Sequence, residues 1–303
     1  MKIGFVGLGL LGNAIAQKIV KTNIAPLMIW RPKFSNAGNL DANAKNLNPG
    51  LISDGAAPVR TVDQIIQSCE MVCSCLPDDT ALIDFTNNAL NNRDSKLRIH
   101  VSFATVSPSA ALTVKRSHDA RKIEFYNCPV IGRSDAVLLG NGIVLRSGGP
   151  KYEEEVDRVL GSVFMKVIDL AEDVEAASLF KLTINFIVAS LIGTLSEVAD
   201  AYEGNEERKE KLKDILVNSP IASPILNAYG EAILFDAIGE TNFKLCHGLK
   251  DLYLFREAFS RPGSDIAVTN SLISKFEWAV ESGLGDNDWT DLRKNFSGNT
   301  TKI

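Results

Sequence analysis

The chain has 303 residues, 45% hydrophobic and 23% charged, with a net charge of −5. That balance belongs to a soluble globular protein too long for one average domain, so two domains with separate cores are expected. An acidic chain argues against a nucleic-acid partner, which is met with a basic face.

The first twenty residues are apolar, but three regularly placed glycines and the lack of a clear cleavage site argue against a signal peptide. No stretch reaches the about 18 apolar residues of a membrane span, so a cytoplasmic protein without a membrane partner is expected. Residues 2–6 read as a short apolar strand, about 10–21 as a helix, 26–30 as the second strand and 71–76 as another, stopped by Pro77. Residues 98–103 form the next strand, after which Ser107 and Pro108 open a helix as N-cap and first-turn proline. Further strands are read at 123–126, 143–145 and 164–168. Strands alternating with helices predict a parallel, doubly wound sheet.

From about 172 the pattern turns helical and no strand stands out. Residues 172–202, without proline and with only Gly193, can form one unusually long helix. The charged segment 206–216 reads as a solvated helix face, Pro220, Pro224 and Pro262 punctuate the remainder of the chain, and the residues from 294 read as frayed. The expected class is therefore α/β: a Rossmann-type doubly wound parallel sheet over 1–170, then an all-α domain over 171–303. Cys69, Cys73, Cys75, Cys128 and Cys246 fit no zinc spacing, and their odd number makes no disulfide framework, so no metal is expected.

Gly7-Leu8-Gly9-Leu10-Leu11-Gly12 matches G-x-G-x-x-G, and here it follows a strand and opens a helix, the context that makes the pattern informative. Gly7 allows the tight turn, Gly9 leaves room for a pyrophosphate, and Gly12 lets the helix pack on the strand. The helix N-terminus then offers N–H groups and a positive dipole end to the phosphates. A preference for NAD usually comes with an acid at the end of the second strand. This chain has Trp30-Arg31-Pro32-Lys33 there, so Arg31, with Lys33 as a second cation, can meet a 2′-phosphate. NADP(H) is expected over NAD(H); the alternative is that Arg31 is a solvated turn residue. Lys181 and Asn185 lie four apart on the apolar run LFKLTINFIV and so share a helix face. They can form a proton-transfer pair, or Lys181 can snorkel to the surface; spacing alone leaves both open.

Several separated segments resemble the β-hydroxyacid dehydrogenase family, which includes 3-hydroxyisobutyrate dehydrogenase and glyoxylate/succinic semialdehyde reductases. They are IGFVGLGLLGNAIA at the N-terminus, CLP at 75–77, SFATVSP at 102–108, CPVIGR at 128–133, LFKLTIN at 179–185, and Phe243 with LKDL at 249–252. The resemblance runs through roughly 1–255. It implies a Rossmann-type domain followed by an all-helical one, a homodimer, and NADP(H)-dependent hydride transfer between a small hydroxy acid or alcohol and its aldehyde or keto form. Lys181 would be the general acid/base and Asn185 would hold the substrate oxygen and the lysine in line. Leu76, Pro77, Thr105 and Lys250 would join the glycine loop around the cofactor. Gly132 would contact substrate through its backbone, and Phe243, Lys250 and Asp251 would close over it. Three departures stand out: the family's Ser-Gly-Gly is Ile131-Gly132-Arg133, its Ser-Thr is Ala104-Thr105, and the Asp before that is Ser102. Arg133 either replaces the lost serine as an anion clamp or is a surface arginine. His100, His118 and His247 lie outside every matched motif and read as packed or surface residues. The alternatives are an imine reductase or reductive aminase, whose relatives generally lack the lysine, and a non-catalytic NADP-binding module. A true 6-phosphogluconate dehydrogenase has a much longer helical domain.

Overall fold

The computed structural model describes residues 1–31, 48–149, 151–237, 239 and 241–295. The chain divides into two compact units, Met1–Lys181 and Leu182–Ile303, and the division falls inside a long helix.

The first unit is built on nine strands: β1 (Ile3–Val6), β2 (Leu27–Trp30), β3 (Ala57–Pro58), β4 (Met71–Ser74), β5 (Ile99–Ser102), β6 (Glu124–Asn127), β7 (Val130–Ile131), β8 (Ile143–Gly148) and β9 (Lys166–Asp169). Their order is β3-β2-β1-β4-β5-β6-β8-β7, with β9 on β8. Strands β3 to β6 run parallel, whereas β8 runs antiparallel to β6 and β7. The 3-2-1-4-5-6 half is the Rossmann order, and its direction of winding reverses between β1 and β4, where ligands of such sheets bind beyond the carboxyl ends. All four residues of β1 and of β4 are buried, because helices cover both faces of a parallel sheet. Strand alternation sends Ile3 and Phe5 into one core with Ile15 and Ile19 of α1 (Leu10–Thr22). Val6 joins the other, with Ile65 of α2 (Val62–Ser68) and Leu82 of α3 (Asp79–Asn91).

Ser107 caps α4 (Pro108–Asp119) as its sequence predicts, accepting the Ala110 N–H at 3.0 Å. The strand expected at 164–168 lies at Lys166–Asp169, and the two-residue strands β3 and β7 carry too few side chains to show a period. Lys33 and the segment from 296 onward lie outside the described residues.

One helix, α5 (Val174–Ala201), fills the expected 172–202 and crosses the division between the units. By length and composition it is apolar enough to span a membrane, with a window of mean hydropathy 1.7 of which 50% is buried. This corrects the expectation that no stretch qualifies: interleaved serines and threonines break the run of apolar letters without lowering its mean. The second unit continues with α6 (Glu206–Asn218), α7 (Pro224–Leu234), α8 (Leu245–Phe259) and α9 (Ala267–Ala279) around a core of Ile192, Leu245, Phe276 and Leu292. Among the described residues its sole β feature is an isolated bridge between Lys244 and Asp288. The charged face of α6 is not wholly solvated as predicted. Lys209 is buried, its ammonium 3.0 Å from Glu206 and 3.3 Å from Glu203, and Arg293 meets the same Glu203 at 2.7 Å. Paired carboxylates make a buried cation tolerable; Glu206 is an i,i+3 neighbour legible in the sequence, whereas the Glu203 that Lys209 shares with Arg293 is not.

Candidate active site

The strand register aligns the carboxyl ends of the sheet. Val6 pairs with Trp30 and Ser74, Ser74 with Ser102, and Ser102 with Asn127. Gly7, Arg31, Leu76, Pro77 and Thr105, which sequence places up to 98 residues apart, therefore all leave the sheet along one edge.

At that edge the glycines differ in what they require. Gly7 has φ +93°, a conformation that favours glycine, and a Cβ there would strike the Cys75 carbonyl. A Cβ on Gly12 would strike the Gly7 carbonyl, so the helix can approach the strand only without one. Among the described residues nothing lies within 4 Å of a would-be Cβ on Gly9, beside the N-terminus of α1. Gly9 is the N-cap, no side chain caps the helix, and its first turn holds no acid. The amides of the first turn thus have no intrahelical acceptor. Asn13 Nδ2 donates to the carbonyls of Leu8 at 2.8 Å and Gly9 at 3.0 Å, turning those oxygens into the loop. A helix start whose first-turn N–H groups are uncapped and carry no acid among the described residues fits a pyrophosphate. Leu8 is buried, Leu11 packs on the core and Leu10 is half exposed, so this part of the loop offers backbone rather than polar side chains. Sequence reasoning misses the Asn13 contact; a polar residue directly after the third glycine is its only signal.

Gly7 N–H donates to Trp30 O at 3.2 Å, tying the loop to the exit of β2, where Arg31 is half-buried. Leu76 is buried against the loop and Pro77 exposed. Asp79 accepts both the Ser107 N–H, at 2.9 Å, and the Ser107 hydroxyl, at 2.5 Å, and so joins the exit of β4 to that of β5, which carries half-buried Thr105. Gly132 has φ +143°, and Arg133 next to it forks onto Asp135 with contacts of 2.5 and 3.2 Å. That fork holds the Asp135 carboxyl below its usual range.

Val174, Ser178, Lys181 and Asn185 of α5 fall on one stripe of the helix, and all four are buried, Lys181 at 7% exposure. Within the second unit, Asn185 Nδ2 donates to Asp251 Oδ2 at 2.5 Å, and Lys250 Nζ lies 3.0 Å from Asp251 Oδ1. The structure thus brings Asn185, Lys250 and Asp251 together. Phe243 stands edge-on to Trp289, with its N–H donating to Asp288 at 3.1 Å.

His100 and His118 are buried in a chain running from Ser74 Oγ to His100 Nε2 and from His100 Nδ1 to His118 Nε2, each step 2.8 Å. Burial pushes His118 down to about 4 and His100 well below its ordinary value. His247 is lowered by burial and then by Lys250. Among the described residues no group of three or more His, Cys, Asp or Glu could hold a metal ion.

Residues 2–170 match the family model of the NAD-binding domain of 6-phosphogluconate dehydrogenase. The chain is 26% identical to the uncharacterised oxidoreductase YfjR of Bacillus subtilis, over 97% of this chain and 99% of that one. It is 21% identical to glyoxylate/succinic semialdehyde reductase 1 of Arabidopsis thaliana, over 96% of each. Among solved structures it resembles Psf3 in complex with NADP+ and 2-OPP (TM-score 0.83, 18% identity, 97% of this chain and 99% of that). It also resembles 3-hydroxyisobutyrate dehydrogenase from Salmonella typhimurium (TM-score 0.81, 15% identity, 97% and 99%).

Proposed function

Because this chain belongs to the β-hydroxyacid dehydrogenase family, whose nucleotide domain is that of 6-phosphogluconate dehydrogenase, we propose that it is an NADP(H)-dependent enzyme interconverting a small hydroxy acid or alcohol and its carbonyl form with Lys181 as proton carrier. The family's chemistry is NAD(P)-dependent oxidoreduction. The observation that carries the residue assignment is the buried stripe of α5, on which Lys181 is followed one turn later by an Asn185 fixed to Asp251.

Bound at the glycine loop, the nicotinamide cofactor supplies or takes up the hydride. Gly9 makes room for its pyrophosphate and the first-turn amides of α1 meet the phosphates. Arg31, at a strand end that holds no acid, pairs with a 2′-phosphate. Lys181 gives a proton to the carbonyl oxygen in reduction and takes it back from the hydroxyl in oxidation. Asn185, held by Asp251, keeps the substrate oxygen in line with the lysine. The Arg133–Asp135 fork favours a second reading for the substrate, an uncharged carbonyl or imine, because a guanidinium already occupied by a carboxylate attracts a second one weakly. The same overall reading makes the protein a cytoplasmic homodimer, with neither nucleic acid nor membrane as partner.

The test is NADPH oxidation followed with glyoxylate, succinic semialdehyde, a neutral keto ester and a cyclic imine. Lys181→Ala should lower turnover on the accepted substrate by at least ~10²-fold while NADPH affinity stays unchanged. Lys181→Arg should rescue poorly, since arginine keeps its proton at any working pH. Near-normal turnover by Lys181→Ala would sink the assignment.

A further inference from the structure

Ser74, Ser102, Asn127 and Ser147 stand side by side in register across β4, β5, β6 and β8, each fully buried. Small polar residues in a dry sheet edge must find hydrogen bonds or lose their hydration without return. The first two find them locally: Ser74 meets His100 at 2.8 Å, and Ser102 Oγ accepts the Ala104 N–H at 3.4 Å. The last two reach out of the sheet. Asn127 Nδ2 donates to the Val174 carbonyl and to Ser178 Oγ, both at 2.9 Å, and the Ser147 hydroxyl donates to the Val174 carbonyl at 3.2 Å.

Val174 and Ser178 are one turn apart at the start of α5. One attachment would leave a helix free to roll about its axis; two attachments a turn apart fix its rotation. Lys181 lies three residues past Ser178, on the same face. Asn127 is suited to this task by chemistry, because its single amide nitrogen carries two donors and an aspartate carries none when ionised. Its other atom, Oδ1, is buried and has no hydrogen-bond partner among the described residues. Simple space-filling would not retain that unmatched acceptor, since an apolar residue would fill the volume without it.

We propose that Asn127, with Ser147 beside it, is a positioning residue that sets the rotation of α5 and thereby the presentation of Lys181. Its bearing on catalysis rests on the proposed role of Lys181, but the clamp itself can be tested without turnover. Full-length protein is labelled with acetic anhydride at one fixed pH, and peptide mass spectrometry gives the rate at Lys181 relative to Lys209. Lys209, buried in its own ion pairs, reports loosening of the second unit, and iodoacetamide labelling of the buried Cys73 and Cys128 thiols reports loosening of the first, which the clamp predicts to stay unchanged. Asn127→Leu, which keeps the size and removes both donors, should raise that ratio at least about three-fold by freeing the first turns of α5. Ser178→Ala should move it in the same direction by less, and Ser178→Thr, which keeps the hydroxyl, should restore the wild-type ratio. An unchanged ratio in Asn127→Leu, or Lys181 and Lys209 rising together, overturns the clamp. If Asn127→Leu does not fold, the Ser178→Ala and Ser178→Thr pair decides: equal ratios in the two overturn it. Normal turnover by Lys181→Ala would instead refute the proton-transfer role and leave the labelling result standing.

Discussion

Arg31 and Lys181 are both basic residues, and they stand in different surroundings. Arg31 sits half-buried where β2 ends, beside the loop that Gly7 ties to Trp30, and a guanidinium there can fork onto a phosphate. NADPH should therefore bind at least ~10-fold tighter than NADH, roughly 1.4 kcal/mol, and Arg31→Ala should remove most of that gap in paired fluorescence titrations. Equal affinities in the unaltered protein would refute the assignment. The buried histidines act on stability instead. Burial holds His118 at about 4 when folded, against 6.5 unfolded, and also lowers His100 well below its ordinary value. With the folded value below the unfolded one, the stabilisation is complete above about pH 6.5 and is lost as pH falls toward 4. The two rings share a hydrogen bond, so the loss belongs to the pair. Thermal unfolding followed from pH 7 to pH 4 should show a falling midpoint, and His118→Gln should flatten the fall; parallel curves would exclude the histidine pair as its cause. Sequence places these histidines outside any motif but cannot tell packed from exposed, because Ser74, His100 and His118 meet only when β4, β5 and α4 are side by side.

The glycine loop is legible because its demands are local. A strand, three glycines and a helix start within ten residues state a geometry that needs no distant partner. The structure separates the three by what a methyl group would meet, which leads to opposite outcomes for the same substitution. Gly12→Ala should cost about 2 kcal/mol or more of folding stability by driving α1 off the Gly7 carbonyl. Gly9→Ala has open space and an ordinary φ of −73°, so stability should change by less than about 1 kcal/mol. Its effect should fall on NADPH, with affinity lowered at least ~10-fold. Calorimetry and titration of the two variants check the pair; unaltered NADPH affinity in Gly9→Ala would mean the space is not the pyrophosphate cradle. The long helix is legible in extent but not in its rotation. Apolar periodicity locates α5 to within two residues of each end, whereas the grip of Asn127 on Val174 and Ser178 joins positions 47 and 51 residues apart.

Over the molecule as a whole, α5 leaves Phe180 and Ile187 each 54% exposed although its Leu182, Ala189 and Ile192 are buried. Apolar side chains seven residues apart on one helix face form a stripe that a second copy of the chain can cover. Light scattering at micromolar concentration should give a dimer mass, and Ile187→Glu should shift it toward the monomer; a monomer in the unaltered protein would remove α5 as an interface. Local sequence was enough to read the longer strands and helices in order and the composition of the nucleotide loop, since each depends on periodicities and turn residues within a few turns of chain. It also supplied Lys181 and Asn185 as a pair, because i and i+4 are neighbours in any helix. What those residues touch came from tertiary packing alone. Packing set Asp251 against Asn185 across 66 positions, buried Lys209 beside Arg293 and their shared Glu203, and closed the sheet edge with Asn127. A side chain's charge and size are written in its letter, but its partner is chosen by which strands and helices pack together, and that choice is made by the whole core at once.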